Sequence, residues 1–419
     1  MEKFFTFENG LRLVVNTLND FPSVVCSVHI NTGSVNEEKE KSGISHFLEH
    51  MTFKSTKYHS ATEIASLFES IGAVTNAYTS KEETCFFFKS VYTEVEKSCM
   101  LLGEILFDGI FDEKEFETEK GVILEEINMN NDDYSSFCLD KSLETYYENK
   151  SLANSILGSK ESVSNLTTKD LIEYKNNYYK AGNVVISFAG KISFEKAKEM
   201  VEKYFDRFEK SNLDINKNIK CCDLTKFKVD STIKNTEQLN VAITYKGYNY
   251  FDKRKYALNL LSFIIGGGMS SRLFENIREK QGLVYSIFSF MDSFLYSGNF
   301  IIYFATNKEN LEKTIDVLNT EIDKLIKNGI TEEELNKAKN FAINTMILSR
   351  ENLSNIAKSS ARQILMSNKT NSINKFVKFT NAVKIEDINK IILDIFTNPF
   401  VISVVGKRCN LKIFDKLKK

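Results

Sequence analysis

Two of the four histidines in this chain lie four residues apart, with a glutamate between them. In the segment "GISHFLEHMTFKST", residues 43–56, His46 and His50 flank Glu49. Side chains four residues apart on a helix lie one turn above each other, so both imidazoles can point at one position. That arrangement suits Zn²⁺, which accepts nitrogen ligands in tetrahedral geometry. Glu49 would act as the base that takes a proton from zinc-bound water, whose pKa the ion lowers to about 7.

The same segment also fits a helix that binds no metal, because two histidines can simply pack on its apolar side. A third protein ligand for zinc decides between these alternatives. The predicted helix 112–130 offers Glu119, Glu125 and Glu126. Adjacent helical positions diverge by about 100°, so Glu125 and Glu126 cannot both face the metal, whereas Glu119 and Glu126 share a face. We therefore expect Glu126 as the third ligand, with Glu119 supporting it.

The surrounding patterns predict the elements that hold these side chains. Apolar alternation on both sides of Asn9-Gly10 predicts a β-hairpin, and a strand rich in β-branched residues follows it. Ser60 with Glu63 forms a capping box that begins a helix, and Gly72 ends that helix. Two or three strands therefore precede the histidine segment, and a helix and further strands follow it.

The second half of the chain repeats this order faintly. It contains a strand, a helix, two strands and long helices, in the segments "LNVAITYKG", "YALNLLSFIIGG", "VYSIFSFMDSF", "SGNFIIYFAT" and "NLEKTIDVLNTEIDKLIKNGITEEELNKAKN". Strands in blocks followed by helices predict an α+β fold, with two homologous α/β domains that each have a mainly antiparallel sheet flanked by helices. The polar residues 213–228 predict a linker between domains at 1–212 and 229–419, the second without a metal site.

Composition excludes several classes of partner. The chain has 419 residues, with 55 Lys+Arg against 56 Asp+Glu, and no long run of like charges indicates a nucleic-acid or membrane surface. Seven cysteines without a CxxC pair favour a reducing compartment. The first residues lack the basic and apolar regions of a signal peptide. We expect a cytoplasmic protein that binds neither nucleic acid nor membrane.

These motifs together resemble the M16, or pitrilysin, family of zinc metallopeptidases, whose inverted motif is HxxEH. His46-Phe-Leu-Glu49-His50 is separated from Glu126 by 75 residues. Further stretches agree in order, namely "NGLRLVV", "TGSVNE", "GAVTNAYTSKEETCFF", "EKGVILEEINM", "ILGSKESVSNLT" and "GGGMSSRLFENIREKQGLVYSI". The resemblance spans most of the chain, and is to the short, two-domain subfamily of bacterial zinc proteases and the mitochondrial processing peptidase β subunit.

The resemblance implies a set of site residues in the first domain. His46, His50 and Glu126 would bind one Zn²⁺ per chain, with Glu49 as general base and Glu119 as auxiliary acid.

The resemblance also implies residues that hold the substrate. Asn76 and Ala77 match the edge strand against which the family lays its peptide, a form of β-augmentation. Arg278 and Tyr285 match the pair of the second domain that holds substrate and stabilises the oxyanion. The implied activity is a zinc endopeptidase that hydrolyses peptides or unfolded polypeptide segments.

The resemblance further implies a partner. Four-domain family members enclose their substrate in a chamber, and this chain has two domains. We expect a homodimer that closes such a chamber. The alternatives are a heterodimer in which this chain is the catalytic subunit beside a degenerate homologue, and a noncatalytic peptide-binding subunit.

Overall fold

The structure is a computed structural model that describes residues 2–148, 150–211, 224, 226–370 and 373–419. Most of the predicted linker, residues 213–223 and 225, lies outside the described residues. Within the described ranges, no helix combines the length and the apolar character needed to cross a membrane.

Strands and helices alternate in blocks, as predicted. The strands are β1 (Glu2–Thr6), β2 (Arg12–Thr17), β3 (Ser23–Ile30), β4 (Val74–Thr79), β5 (Thr84–Val91), β6 (Val184–Gly190), β7 (Lys228–Ile233), β8 (Gln238–Lys246), β9 (Val284–Ser293), β10 (Gly298–Asn307) and β11 (Val401–Gly406). The helices are α1 (Ile44–Thr52), α2 (Ala61–Ser70), α3 (Val95–Phe107), α4 (Glu113–Asp132), α5 (Tyr134–Tyr147), α6 (Lys160–Asn165), α7 (Thr168–Tyr178), α8 (Phe194–Tyr204), α9 (Arg254–Gly266), α10 (Leu311–Asn328), α11 (Glu332–Ser349), α12 (Leu353–Ser367), α13 (Ile373–Ala382) and α14 (Ile385–Phe396).

The first sheet has six strands in the order β1-β2-β6-β3-β5-β4. The predicted hairpin at Asn9-Gly10 joins β1 and β2, which pair antiparallel, and Gly10 takes the positive φ of 94° that such a turn uses. Among the described strand pairs of this sheet, only β2–β6 is parallel. The predicted capping box of Ser60 and Glu63 begins α2.

The second sheet has the order β7-β11-β8-β10-β9. Strands β7 and β11 pair parallel and β8 pairs antiparallel with β11, which is the pattern that β2, β6 and β3 form in the first sheet. Because the strand order and the pair directions match, the two halves are two copies of one unit. The predicted α+β class with mainly antiparallel sheets is confirmed.

The chain forms two compact units that interleave along the sequence. The first consists of Met1–Asn128, Asn154–Ile219 and Leu348–Asn371, and the second of Met129–Ala153, Lys220–Ile347 and Ser372–Lys419. Helix α12 covers β2, β3 and β6 of the first unit, and α5 covers β8 and β11 of the second. Each unit therefore takes one helix from the other half of the sequence, unlike the continuous domains 1–212 and 229–419 expected from composition.

Each sheet buries a hydrophobic core against its own helices. In the first unit, Phe47 of α1 stacks on Phe116 of α4 with ring centroids 4.6 Å apart and planes 8° from parallel, and both side chains are fully buried. Burial of one such side chain stabilises a fold by about 1.5–3 kcal/mol. This contact packs α1, which carries the two histidines, against α4, which carries Glu119 and Glu126.

Candidate metal centre

Helix α1 carries both histidines on one side, as their spacing predicts. Its apolar residues, among them Phe47 and Leu48, are fully buried, which fixes the rotation of the helix about its axis. The ring centroids of His46 and His50 lie 4.5 Å apart. The two imidazoles therefore face the same space.

Glu126 of α4 completes a three-residue cluster with these histidines. Its Oε2 lies 3.7 Å from Nε2 of His46 and 3.7 Å from Nε2 of His50. One ligand atom from each residue lies within 4.8 Å of the other two. Glu125, the alternative on the same helix, is exposed and accepts a hydrogen bond from Asn128.

The chemistry of this donor set fits zinc. Ligand atoms 2.0–2.1 Å from a tetrahedral ion lie about 3.3 Å from one another, which is close to the 3.7 Å separations found here. Burial, with a smaller contribution from the charge of His50, lowers the pKa of His46 to about 3, so this imidazole is neutral. A neutral imidazole is the form that binds a metal.

Glu119 supports the cluster from about two helical turns nearer the start of α4 than Glu126. Its Oε1 lies 2.8 Å from Nδ1 of His50, and its Oε2 lies 2.6 Å from Nζ of Lys54. The hydrogen bond with His50 holds the pKa of Glu119 down at about 2 in spite of burial. Burial opposes the charged form of His50, yet the bond and charge of Glu119 outweigh it and raise the His50 pKa. A carboxylate in this position orients a ligating imidazole and directs Nε2 at the metal.

Glu49 lies on α1 next to His50, and its carboxylate bonds to a hydroxyl of the first sheet. Oγ1 of Thr79, the last residue of β4, donates a hydrogen bond to Oε2 of Glu49 over 2.6 Å. Burial raises the pKa of Glu49, and the bond from Thr79 partly opposes that rise. The carboxylate is thus a stronger base than a solvated one and is held in one orientation.

The predicted substrate strand lies at an edge of the first sheet. Asn76 and Ala77 belong to β4, which pairs on one side with β5, with Asn76 opposite Phe87 and Ala77 opposite Phe86. In the described part of the sheet no strand covers the other side of β4, so its outer backbone groups can pair with a peptide.

Arg278 and Tyr285 belong to the second unit. Arg278 lies in a π-helical segment, Phe274–Glu279, with its guanidinium 4.7 Å from the centroid of the Phe274 ring. Tyr285 lies on β9, which is at one edge of the second sheet, and is 74% exposed. Their role toward a substrate stays a prediction.

Two neighbours of the predicted site residues, Thr79 and Lys54, carry no recognisable signal in the sequence. They come close to Glu49 and Glu119 only through the packing of β4 and α4 against α1. The other two histidines have separate partners: His29 is buried beside Glu83, and His59 lies 2.9 Å from Glu104.

Comparison with known proteins gives consistent family matches. The protein-family model described as Insulinase (Peptidase family M16) matches residues 13–160. The family model described as Peptidase M16 inactive domain matches residues 165–341. An uncharacterized zinc protease of Bacillus subtilis, YmxG, is 34% identical over 98% of this chain and 100% of its own length. An uncharacterized zinc protease of Rickettsia felis is 31% identical over 95% of this chain and 96% of its own length.

Solved structures agree with these relatives. A protease from Helicobacter pylori matches with a TM-score of 0.91 at 25% identity, covering 97% of this chain and 99% of its own. A peptidase M16 inactive domain from Pseudomonas fluorescens matches with a TM-score of 0.87 at 18% identity, covering 97% and 98%, and this likeness concerns the fold. With matches over nearly its whole length, the chain belongs to peptidase family M16 as a two-domain member.

Proposed function

We propose that this protein is a zinc-dependent endopeptidase that hydrolyses peptides or unfolded polypeptide segments. The observation that carries the proposal is the convergence of two imidazole nitrogens and one carboxylate oxygen beside Glu49. Relatives named zinc proteases support it, since they match over almost the full chain.

Different residues of this chain have different roles in the proposed hydrolysis. His46, His50 and Glu126 would hold one zinc ion. A bound zinc ion supplies Lewis-acid chemistry, polarising the peptide carbonyl and lowering the pKa of water at the site. Glu49 takes a proton from the attacking water and returns it to the leaving amine nitrogen, a role that its raised pKa favours.

The edge strand β4 would bind the substrate through its backbone. A peptide added beside Asn76 and Ala77 gains main-chain hydrogen bonds with little demand on its side chains. Extended, unfolded segments can bind in this way, whereas folded proteins have their backbone groups already paired. Arg278 and Tyr285 would assist in holding the peptide and in stabilising the oxyanion.

Only the first unit would carry a metal. Among the described residues, no second group of three His, Cys, Asp or Glu side chains has metal-binding geometry, and the family description of residues 165–341 as an inactive domain agrees with this. A chamber closed by a homodimer is the partner arrangement that we propose, in the cytoplasm. The test is to measure activity and oligomeric state as the protein is diluted. A monomer that remains fully active at nanomolar concentration would contradict the need for a partner.

The variant Glu49→Gln tests the chemistry, with Glu125→Gln as the matched control on an exposed glutamate of α4. General base catalysis contributes about 10²–10⁴-fold, so kcat on a quenched fluorescent peptide should fall by that factor in Glu49→Gln. Zinc content and thermal unfolding should stay at wild-type values in both variants. Near-normal turnover in Glu49→Gln would rule out its assignment as the base.

A second outcome separates the alternative functions. If the wild-type chain binds zinc but does not cleave the peptide, the chain is either the catalytic half of a heterodimer or a noncatalytic peptide-binding subunit. Adding a related degenerate chain restores cleavage in the first case and not in the second.

A further inference from the structure

Glu37 places a buried carboxylate at the start of the histidine helix, and the proposed mechanism does not use it. Its Oε2 accepts a hydrogen bond from the backbone N–H of Gly43 over 2.7 Å, and its Oε1 accepts one from the N–H of Ser45 over 2.9 Å. Glu37 is 7% exposed, so these two amides replace its contact with water. Both carboxylate oxygens are therefore committed to the first turn of α1.

Helix α1 depends on this remote cap because its own N-cap residue cannot provide one. That residue is Gly43, which has no side chain, and the first N–H groups of a helix have no partner within the helix. A negative charge at this end also interacts favourably with the helix dipole. Since α1 has only nine residues, with His46 in its first turn, the position of the cap sets the position of a metal ligand.

The segment that carries Glu37 is itself fixed. Nδ2 of Asn154 donates to the carbonyl oxygens of Ser34 and Glu37, over 3.1 Å and 3.0 Å. Gly43 has φ of 94°, and a Cβ on it would lie 2.7 Å from the carbonyl oxygen of Leu157. The start of α1 is thus held between the carboxylate of Glu37 on one side and the backbone at Leu157 on the other.

We infer that Glu37 is a positioning residue for the metal centre: its carboxylate holds the first turn of α1 so that His46 and His50 present their nitrogens in register with Glu126. The inference rests on the proposed metal-dependent function, and it assigns to Glu37 no contact with metal or substrate. A group that orients metal ligands typically changes metal affinity by about 10–100-fold when it is removed.

The variant Glu37→Gln tests this role, with Glu38→Gln as the matched control. The amide keeps the size of the side chain but offers one acceptor oxygen, and its NH₂ group would face one of the two backbone N–H donors. Glu38 is the exposed neighbour, so the same chemical change there leaves α1 untouched. The measurements are the zinc dissociation constant by chelator competition, thermal unfolding of the zinc-free protein, and kcat and KM at saturating zinc.

We expect Glu37→Gln to fold and to bind zinc about tenfold or more weakly than Glu38→Gln, in line with other groups that orient ligands. At saturating zinc its kcat should fall while KM changes little, because β4 is unaltered. Zinc affinity and kcat equal to those of Glu38→Gln would overturn the inference and leave Glu37 a structural residue only.

Two further arms keep the test decisive. If Glu37→Gln does not fold, Glu37→Asp takes its place: it keeps the charge but is too short to reach both amides, so the folded variant should bind zinc more weakly than Glu38→Gln, and wild-type affinity would overturn the inference. If the wild type binds zinc without cleaving peptide, the proposed peptidase activity of the chain without a different partner fails, while the comparison of zinc affinities still decides the role of Glu37.

Discussion

Replacing Glu119 by glutamine changes one charge beside the metal centre and little else. Its carboxylate joins two groups, with Oε1 2.8 Å from Nδ1 of His50 and Oε2 2.6 Å from Nζ of Lys54. The amide of Glu119→Gln keeps the volume and one acceptor oxygen, but it cannot accept from both partners and carries no charge. The variant therefore tests what the carboxylate, with its charge and its two acceptor oxygens, contributes to metal binding.

The expected loss can be worked out from these contacts. A hydrogen bond to a charged group contributes about 1.5–3 kcal/mol, and a neutral one about 0.5–1.5 kcal/mol, so the difference is about 1–1.5 kcal/mol. At about 1.4 kcal/mol per factor of ten, zinc should bind to Glu119→Gln about tenfold more weakly at pH 8.

The loss of zinc affinity in Glu119→Gln, relative to the wild type, should become smaller as the pH falls. Glu119 raises the pKa of His50 against the effect of burial, and a proton on His50 competes with the metal. In the variant the His50 pKa falls, so protons compete less than in the wild type at the same low pH. The ratio of the zinc dissociation constants, variant to wild type, should therefore be smaller at pH 6 than at pH 8.

Chelator competition at the two pH values measures this ratio, with Glu117→Gln as control. Glu117 lies on the same helix, and its side chain is 58% exposed, so the control should bind zinc as the wild type does. Equal zinc affinity of Glu119→Gln and wild type at pH 8 would refute the orienting role. A ratio that grows as the pH falls would refute the electrostatic reasoning.

Two further substitutions test the positions of Glu49 and α1. Thr79→Val removes the hydroxyl that donates a hydrogen bond to Glu49, so the pKa of Glu49 should rise. The acid limb of the pH–rate profile should then move to higher pH while the zinc content stays normal. An acid limb that does not move would contradict a role for this hydrogen bond. Gly43→Ala should lower the free energy of unfolding more than Gly72→Ala. Both sites have positive φ, but the Cβ added at Gly43 would lie 2.7 Å from the backbone oxygen of Leu157, whereas at Gly72 it would meet no atom within 4 Å. Positive φ costs alanine about 1–2 kcal/mol and overpacking typically about 1–3 kcal/mol more, so equal losses in urea unfolding would contradict the crowding.

The local features of the fold follow from the sequence because local chemistry fixes them. Three such features depend only on residues that are close in the sequence: the hairpin at Asn9-Gly10, the capping box of Ser60 and Glu63, and the shared helix face of Glu119 and Glu126. The repeat of strands and helices in the two halves can also be predicted from the sequence, because the strand and helix patterns occur in the same order in both halves.

The long-range arrangement does not follow in this way. Strand β6 inserts between β2 and β3, and helices α5 and α12 each pack on the sheet of the other half of the sequence. Such pairings depend on which apolar faces match in three dimensions, and periodicity carries no information on that. The same holds for the site: Glu37 and Thr79 lie in a loop and at the end of a strand, and only tertiary packing brings them to α1.

The most direct test of the central claim is the zinc content of the purified protein by mass spectrometry, for the wild type, Glu126→Gln and the exposed control Glu125→Gln. Three converging ligands predict about one zinc ion per chain in the wild type and in Glu125→Gln, with the metal lost from Glu126→Gln. A wild type without stoichiometric metal, or a Glu126→Gln protein that keeps it, would contradict the assignment of His46, His50 and Glu126 as a zinc site.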